Sequence, residues 1–248
     1  MKVAILFRGQ LRYSDIFNLT FKSNILDKIP NADFHFFAHF WNETSEISSS
    51  EHKSLSNNDF NIFSDIFSPI ELMREDQKTV EEIRSFFEFN NDKVYDHGGM
   101  PNGHGTSRIS QFYSFYKSFS LLEEYEKNNG SFDLYINTRT DILFQNSLDF
   151  NTIDDNSLFV VNQKNNSGNY NWVNDLFFIT KKRENMESLS KISMYLDQIP
   201  VIGTLKQFEG KPIMGVEEIL SSYFNMKKID IANLNLEIGL SRNYEKKF

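Results

Sequence analysis

Apolar positions fall along this chain in short unbroken runs and in helix-spaced stripes, and the two kinds of segment alternate from one end to the other. Residues 3–7 (VAILF) form a continuous apolar run, as a strand buried on both faces requires. Ser14 and Asp15 are placed to cap a following helix carrying Ile16, Leu19, Ile25 and Leu26, which Pro30 ends. Residues 33–41 read as a second strand, and the Ser-, Glu- and Asn-rich residues 42–58 as a loop. Residues 60–73 are apolar around Pro69, and 75–87 have helical spacing with Val80, Ile83 and Phe87 on one face. The clearest helix is 107–128, with Ile109, Phe112, Tyr116, Phe119 and Leu122 as its stripe and Asn129-Gly130 as its stop. Further strands are predicted at 158–161 and 176–180, helices at 182–196 and 216–226, and an alternating apolar pattern over 228–240. Interleaved strands and helices predict an α/β fold, a mainly parallel sheet flanked by helices.

One stretch departs from this regularity. Residues 132–144 (FDLYINTRTDILF) begin as a buried strand, turn polar over Asn137, Thr138, Arg139, Thr140 and Asp141, and become apolar again at Ile142. In an open α/β sheet ligands gather at the carboxyl ends of the strands, and Arg139 and Asp141 would present a cation and a hard oxygen ligand there. Arg8, Gly9, Gln10 and Arg12 occupy the equivalent exit of the first strand. Two segments read either as connectors or as ligand-contacting loops: the glycine-dense residues 96–105 (DHGGMPNGHG) and the polar, aromatic residues 165–172 (NNSGNYNW).

Composition narrows the function classes. With 248 residues the chain suits one domain spanning 1–248. A net charge of −8 argues against broad binding of nucleic acid. The absence of cysteine removes disulfides, thiol nucleophiles and thiolate metal sites. No apolar run approaches the roughly 20 residues of a membrane span, so no integral membrane segment is expected and a cytoplasmic location is. His35 and His39 share a strand face about 13 Å apart and do not make a zinc site by themselves. The phosphate-binding G-x-x-x-x-G-K-[ST] loop, the dinucleotide G-x-G-x-x-G turn and the hydrolase G-x-S-x-G elbow are missing.

Several segments, in order, resemble GT-A-fold nucleotide-sugar glycosyltransferases, in particular the small enzymes of bacterial surface-glycan clusters and of some large DNA viruses and phages. Residues 2–12 (KVAILFRGQLR) are similar to that family's first strand and G-x-x-R loop, and 32–41 (ADFHFFAHFW) to its second strand. Residues 111–117 (QFYSFYK) resemble the helix before the key strand, and 132–144 an Arg-x-Asp version of its Asp-x-Asp segment. Residues 174–179 (NDLFFI) resemble the strand after it, and 215–220 (GVEEIL) its late helix.

The resemblance implies a GT-A-like domain that moves a sugar from a nucleotide-sugar donor to a saccharide or glycolipid acceptor in surface-glycan biosynthesis. Arg8, Gly9, Gln10, Arg12, Gln111 and Arg139 would bind the nucleotide, with Ser114 near Gln111. Asp141 would hold Mn²⁺ or Mg²⁺, and Asp175 would take the acceptor proton, with Glu217, and Glu218 beside it, as rivals. Arg139 stands where the family usually has the first Asp, so it serves the diphosphate directly or pairs structurally with Asp141 or the loop near Arg8. A non-catalytic glycan- or nucleotide-binding protein on the same fold is the alternative. A nucleotidyltransferase would want two carboxylates on its metal.

Overall fold

A computed structural model describes residues 1–12, 15–45, 52–88, 104–163, 172–199, 207–208, 211–212 and 216–240. Strand β1 (Lys2–Gln10) leads through α1 (Asp15–Asn24) to β2 (Asp33–Trp41). A two-stranded ribbon of β3 (Glu43–Ser45) and β4 (His52–Ser54) precedes α2 (Asn57–Phe67), β5 (Glu71–Glu75), α3 (Val80–Phe87) and the long α4 (His104–Asn129). Then follow β6 (Leu134–Thr138), β7 (Ile142–Phe144), β8 (Leu158–Gln163), β9 (Trp172–Thr180), α5 (Arg183–Ser190) and a 3-10 segment, Ile192–Gln198. Strands β10 (Gln207–Phe208) and β11 (Lys211–Pro212), helix α6 (Val216–Lys227) and strands β12 (Ile231–Asn233) and β13 (Ile238–Leu240) complete the order.

Seven strands form one sheet in the order β12-β8-β9-β6-β1-β2-β5. Strand β1 pairs in parallel with β2 and β6, β2 with β5, and β12 with β8, while β9 runs antiparallel to both β6 and β8. The sheet is therefore mainly parallel with one reversed strand, and it carries helices on both faces. Because side chains alternate along a strand, Val3, Ile5 and Phe7 enter one core and Ala4, Leu6 and Arg8 the other. The first core is closed by α1 and α2, the second by α3, α4, α5 and α6. A separate antiparallel pair, β7 with β13, fixes the chain just after Asp141 by the pairings Ile142↔Leu240 and Phe144↔Ile238.

Several elements differ from their sequence patterns. Helix α1 buries Phe17 and Phe21 and leaves Leu19 66 % exposed, because the larger rings remove more apolar surface from water, while Ile25 of the expected stripe is buried just beyond the helix end. Residues 57–58 lie in a helix rather than a loop. Ser56 and Asp59 form a capping box, each side chain accepting from the other's backbone N–H, and this starts α2 inside the polar segment. The helix expected over 75–87 begins only at Val80, capped by Thr79 and Glu82, since Glu75 ends β5. The alternating residues 228–240 divide into β12 and β13, which join different sheets. Residues 96–103 and 165–171, read as connectors or ligand-contacting loops, lie outside the described residues, as do the proposed cap Ser14 and residue Gly215.

Candidate functional site

The carboxyl ends of the adjacent parallel strands β1, β2 and β6 bring polar side chains to one edge of the sheet, on the face covered by α4. Gly9 is the backbone device that lets β1 finish there. Its φ of +94° is a conformation that side-chain-bearing residues rarely adopt, while a Cβ at this position would meet nothing within 4 Å. Conformation and not crowding therefore calls for glycine.

Arg8 is 1 % exposed, with its guanidinium stacked 3.7 Å from the centroid of the Phe115 ring on α4. Its Nε donates to Asn137 Oδ1 at 2.6 Å and its Nη2 donates to the backbone carbonyl of Asp175. Burial pulls its pKa down to about 9, although Asp175 and Asp141 act in the opposite direction. The charge is thus held in an environment that offers it less than full compensation. Arg139 is differently placed. Burial would lower its pKa, but Asp141 and Asp175 outweigh burial and raise it.

Asp141, 2 % exposed, is gripped by two arginines. Arg139 donates through Nε to Oδ1 at 2.9 Å and through Nη2 to Oδ2 at 2.6 Å, a two-point fork. Arg12 Nη1 donates to the same Oδ2 at 3.3 Å, while Arg12 Nη2 donates to Gln10 Oε1. The Arg12 backbone N–H donates to Thr140 Oγ1 at 3.2 Å. On the other side of Arg139, Nη1 lies 3.6 Å from Asp175 Oδ2. Three guanidinium groups and two carboxylates are interleaved, which leaves the cluster one unit positive.

These residues floor a cleft lined by Arg8, Gly9, Gln10, Arg12, Gln111 and Arg139, together with Trp41, Gln77 and Ser110. All six nucleotide-binding candidates of the sequence thus meet in one place, drawn from β1, α4 and the β6–β7 connection. The enclosed volume is about 110 Å³, suited to a phosphate-sized group rather than to a whole nucleotide. Gln111 Oε1, in the lining of the cleft, has no hydrogen-bond partner among the described residues, a group that a ligand or water would satisfy, and neither has Asn137 Nδ2, which is fully buried and outside the lining. Ser114 faces elsewhere and engages His39.

The carboxylate candidates separate. Asp175 lies inside β9, not ahead of it, two residues before the Thr138↔Phe177 pairing of β6 with β9. Glu217 sits in the first turn of α6, beside Glu218, and does not line the cleft; its backbone carbonyl accepts from Ser221 Oγ at 2.7 Å. Asp141 does not fit a divalent ion as it stands, because both of its oxygens already accept from guanidinium groups and a cation there would lie against two like charges. No group of three or more His, Asp or Glu side chains suited to a metal occurs among the described residues.

Sequence reasoning missed Trp41, Gln77 and Ser110. It also missed a second polar cluster behind Trp41. His39, fully buried, lies 3.1 Å through Nδ1 from Ser114 Oγ and 3.5 Å through Nε2 from Glu75 Oε1. Glu75 also accepts from Tyr113 OH at 3.0 Å and pairs with Lys117 at 3.2 Å and Lys78 at 3.4 Å. The contact with His39, with help from Lys117 and against its partial burial, lowers its pKa to about 2. A polar histidine in the second half of an apolar strand was the available signal.

The chain matches no protein-family profile and no curated protein. No described helix is long and apolar enough to cross a membrane.

Proposed function

We propose that this chain is a GT-A-like glycosyltransferase that moves a sugar from a nucleoside diphosphate to a hydroxyl of a saccharide or glycolipid acceptor. The observation that carries the reading is the convergence of Arg8, Arg12 and Arg139 on one small cleft at the carboxyl ends of β1 and β6. Guanidinium forks match phosphate oxygens, and their worth rises in a site from which water is largely excluded. The sheet order supports the fold part of the reading. Its mainly parallel strands flanked by helices are compatible with a GT-A-like domain, and its single reversed strand lies beside the strand that delivers the Arg-x-Asp segment.

In the reaction the bond between the sugar's anomeric carbon and the β-phosphate oxygen breaks, and its electron pair stays on the diphosphate. The acceptor oxygen bonds to that carbon and gives up its proton, so the products are a nucleoside diphosphate and a glycoside. The arginines answer the charge that builds on the departing diphosphate. For the proton, Asp141 is locked by the Arg139 fork and by Arg12, whereas the Asp175 carboxylate, among the described residues, meets Arg139 at 3.6 Å. Asp175 is therefore assigned the acceptor's proton.

A thermal-shift panel of nucleoside diphosphates and nucleotide sugars tests the reading. At a hundredfold excess over Kd the matching ligand should raise the melting temperature by ~5–10 °C, and the free nucleoside should do much less. If no member of the panel shifts the transition, the transferase reading fails. Binding without transfer across a broad acceptor panel would identify a nucleotide-binding protein on this fold.

A further inference from the structure

We propose that the diphosphate in this cleft is held by guanidinium groups without a divalent cation, and that Asp141 is the positioning residue that aims Arg139 and Arg12 at it. The inference rests on the donor reading above and specifies how that donor is bound.

Three observations lead to it. First, the two carboxylates that could hold a hard cation are both turned toward Arg139, Asp141 through a 2.6–2.9 Å fork and Asp175 across 3.6 Å. A divalent ion bound by carboxylate sits ~2.0–2.6 Å from its oxygens, the space Arg139 and Arg12 already use on Asp141. Second, the described residues lining the cleft supply cations and amides, namely Arg8, Arg12, Arg139, Gln10, Gln77 and Gln111, and among them no carboxylate side chain. Third, the cations are fixed before any ligand arrives. Asp141 is itself held by the chain on both sides, following β6 and preceding β7, which β13 pins. A fork held in advance loses little further freedom when phosphate binds, and this makes a short-range anion site out of otherwise mobile side chains. Incompletely compensated Arg8 behind them gives the cleft its appetite for negative charge.

The charge balance of the transfer closes with these groups alone. The electron pair released when the sugar's anomeric carbon leaves the β-phosphate oxygen remains on the diphosphate, opposite Arg12 and Arg139, and no redox partner or extra ion is consumed.

The test is calorimetric titration of the full chain with inorganic pyrophosphate and with the common nucleoside diphosphates, first in EDTA and then in Mn²⁺, together with Mn²⁺ alone. The expected result is binding with affinities within about twofold in the two buffers. Arg139→Lys, which keeps the charge and loses the fork, should weaken binding by about tenfold or more. Because Arg139 is packed against two carboxylates, Arg12→Gln at the more exposed rim provides a second variant, with the same direction expected. Melting temperatures of both variants confirm that they fold. A tightening of tenfold or more by Mn²⁺ that Asp141→Asn abolishes would make Asp141 a metal ligand and overturn the proposal, as would wild-type affinity in both Arg139→Lys and Arg12→Gln. If neither pyrophosphate nor any nucleoside diphosphate binds in either buffer, the donor reading itself fails and takes this inference with it.

Discussion

Phe7 and Arg8 are neighbours in the chain and point into different chemistries. On the Phe7 face, the rings of Phe17, Phe21, Phe63 and Phe67 lie 4.9–6.1 Å from the Phe7 ring, with Phe36 at 6.0 Å. Around Phe7 the contacts are ring against ring. On the Arg8 face the same strand meets α4, whose Phe115 supports a guanidinium and whose Ser114 supports a buried histidine. Buried polar groups are tolerated only where each finds partners, so the second face, which has an apolar core of its own, adds hydrogen bonds and ion pairs to it where the strands end. The division teaches that one strand can keep one face apolar to its end and open the other to polar chemistry there, with a period of two residues as the partition.

The largest effect should come from breaking the aromatic face. Phe7→Ala removes a fully buried ring and is expected to cost about 3–5 kcal/mol of stability, measured by denaturant unfolding. Anion binding below the melting transition should stay near wild type. Loss of binding in a still-folded variant would show that the faces are not separate. A smaller effect on a different observable is expected of Asp175→Asn. Transfer should fall by ~100-fold, the scale of general-base catalysis, while donor affinity does not fall. Unchanged transfer would leave Asp175 as a partner of Arg139 only and turn attention to Glu217. The smallest effect belongs to Glu75. Its folded pKa, about 2, lies below its ordinary 4.5, so its contribution to stability is complete above about pH 4.5 and is lost as the pH falls toward 2. Glu75→Gln should therefore flatten the loss of stability across that window, measured as the difference from wild type. A parallel pair of curves would mean that the His39 and Lys117 contacts contribute no net charge stabilisation.

Much of the site was legible because α/β sheets put chemistry where strands stop. Arg8 to Arg12 and Arg139 to Asp141 could be recognised as apolar runs that end in charge, and Gln111 lay on the one unmistakable helix. What pairs with what was not legible. Whether Arg139 faced a diphosphate, a metal's ligand or a neighbouring loop depended on the register of β6 with β1 and β9, which no local pattern specifies. Asp175 interrupts an apolar run, so β9 read as starting after it, whereas tertiary pairing carries the strand through. Helix α2 was hidden because its capping box is made of the same Ser and Asp residues that signal loops. In α1 the spacing of apolar residues allowed two stripes, and only the size of the opposing pocket, already filled with phenylalanine, selects Phe17 and Phe21.

Central strand β1 joins partners far apart in the order of synthesis. Its β2 edge is matched by residues about thirty positions on, Val3 with Phe34, but its other edge waits for Leu134 to Thr138. A ribosome adding ~5–20 residues per second leaves that edge open for roughly ten seconds. Through this interval the nascent chain exposes an apolar strand with unsatisfied backbone groups, open to pairing with another nascent chain. Arg8 lies near the end of that strand and Arg12 just beyond it, so the cations proposed to meet an anion travel through biosynthesis as the charged end of an open edge.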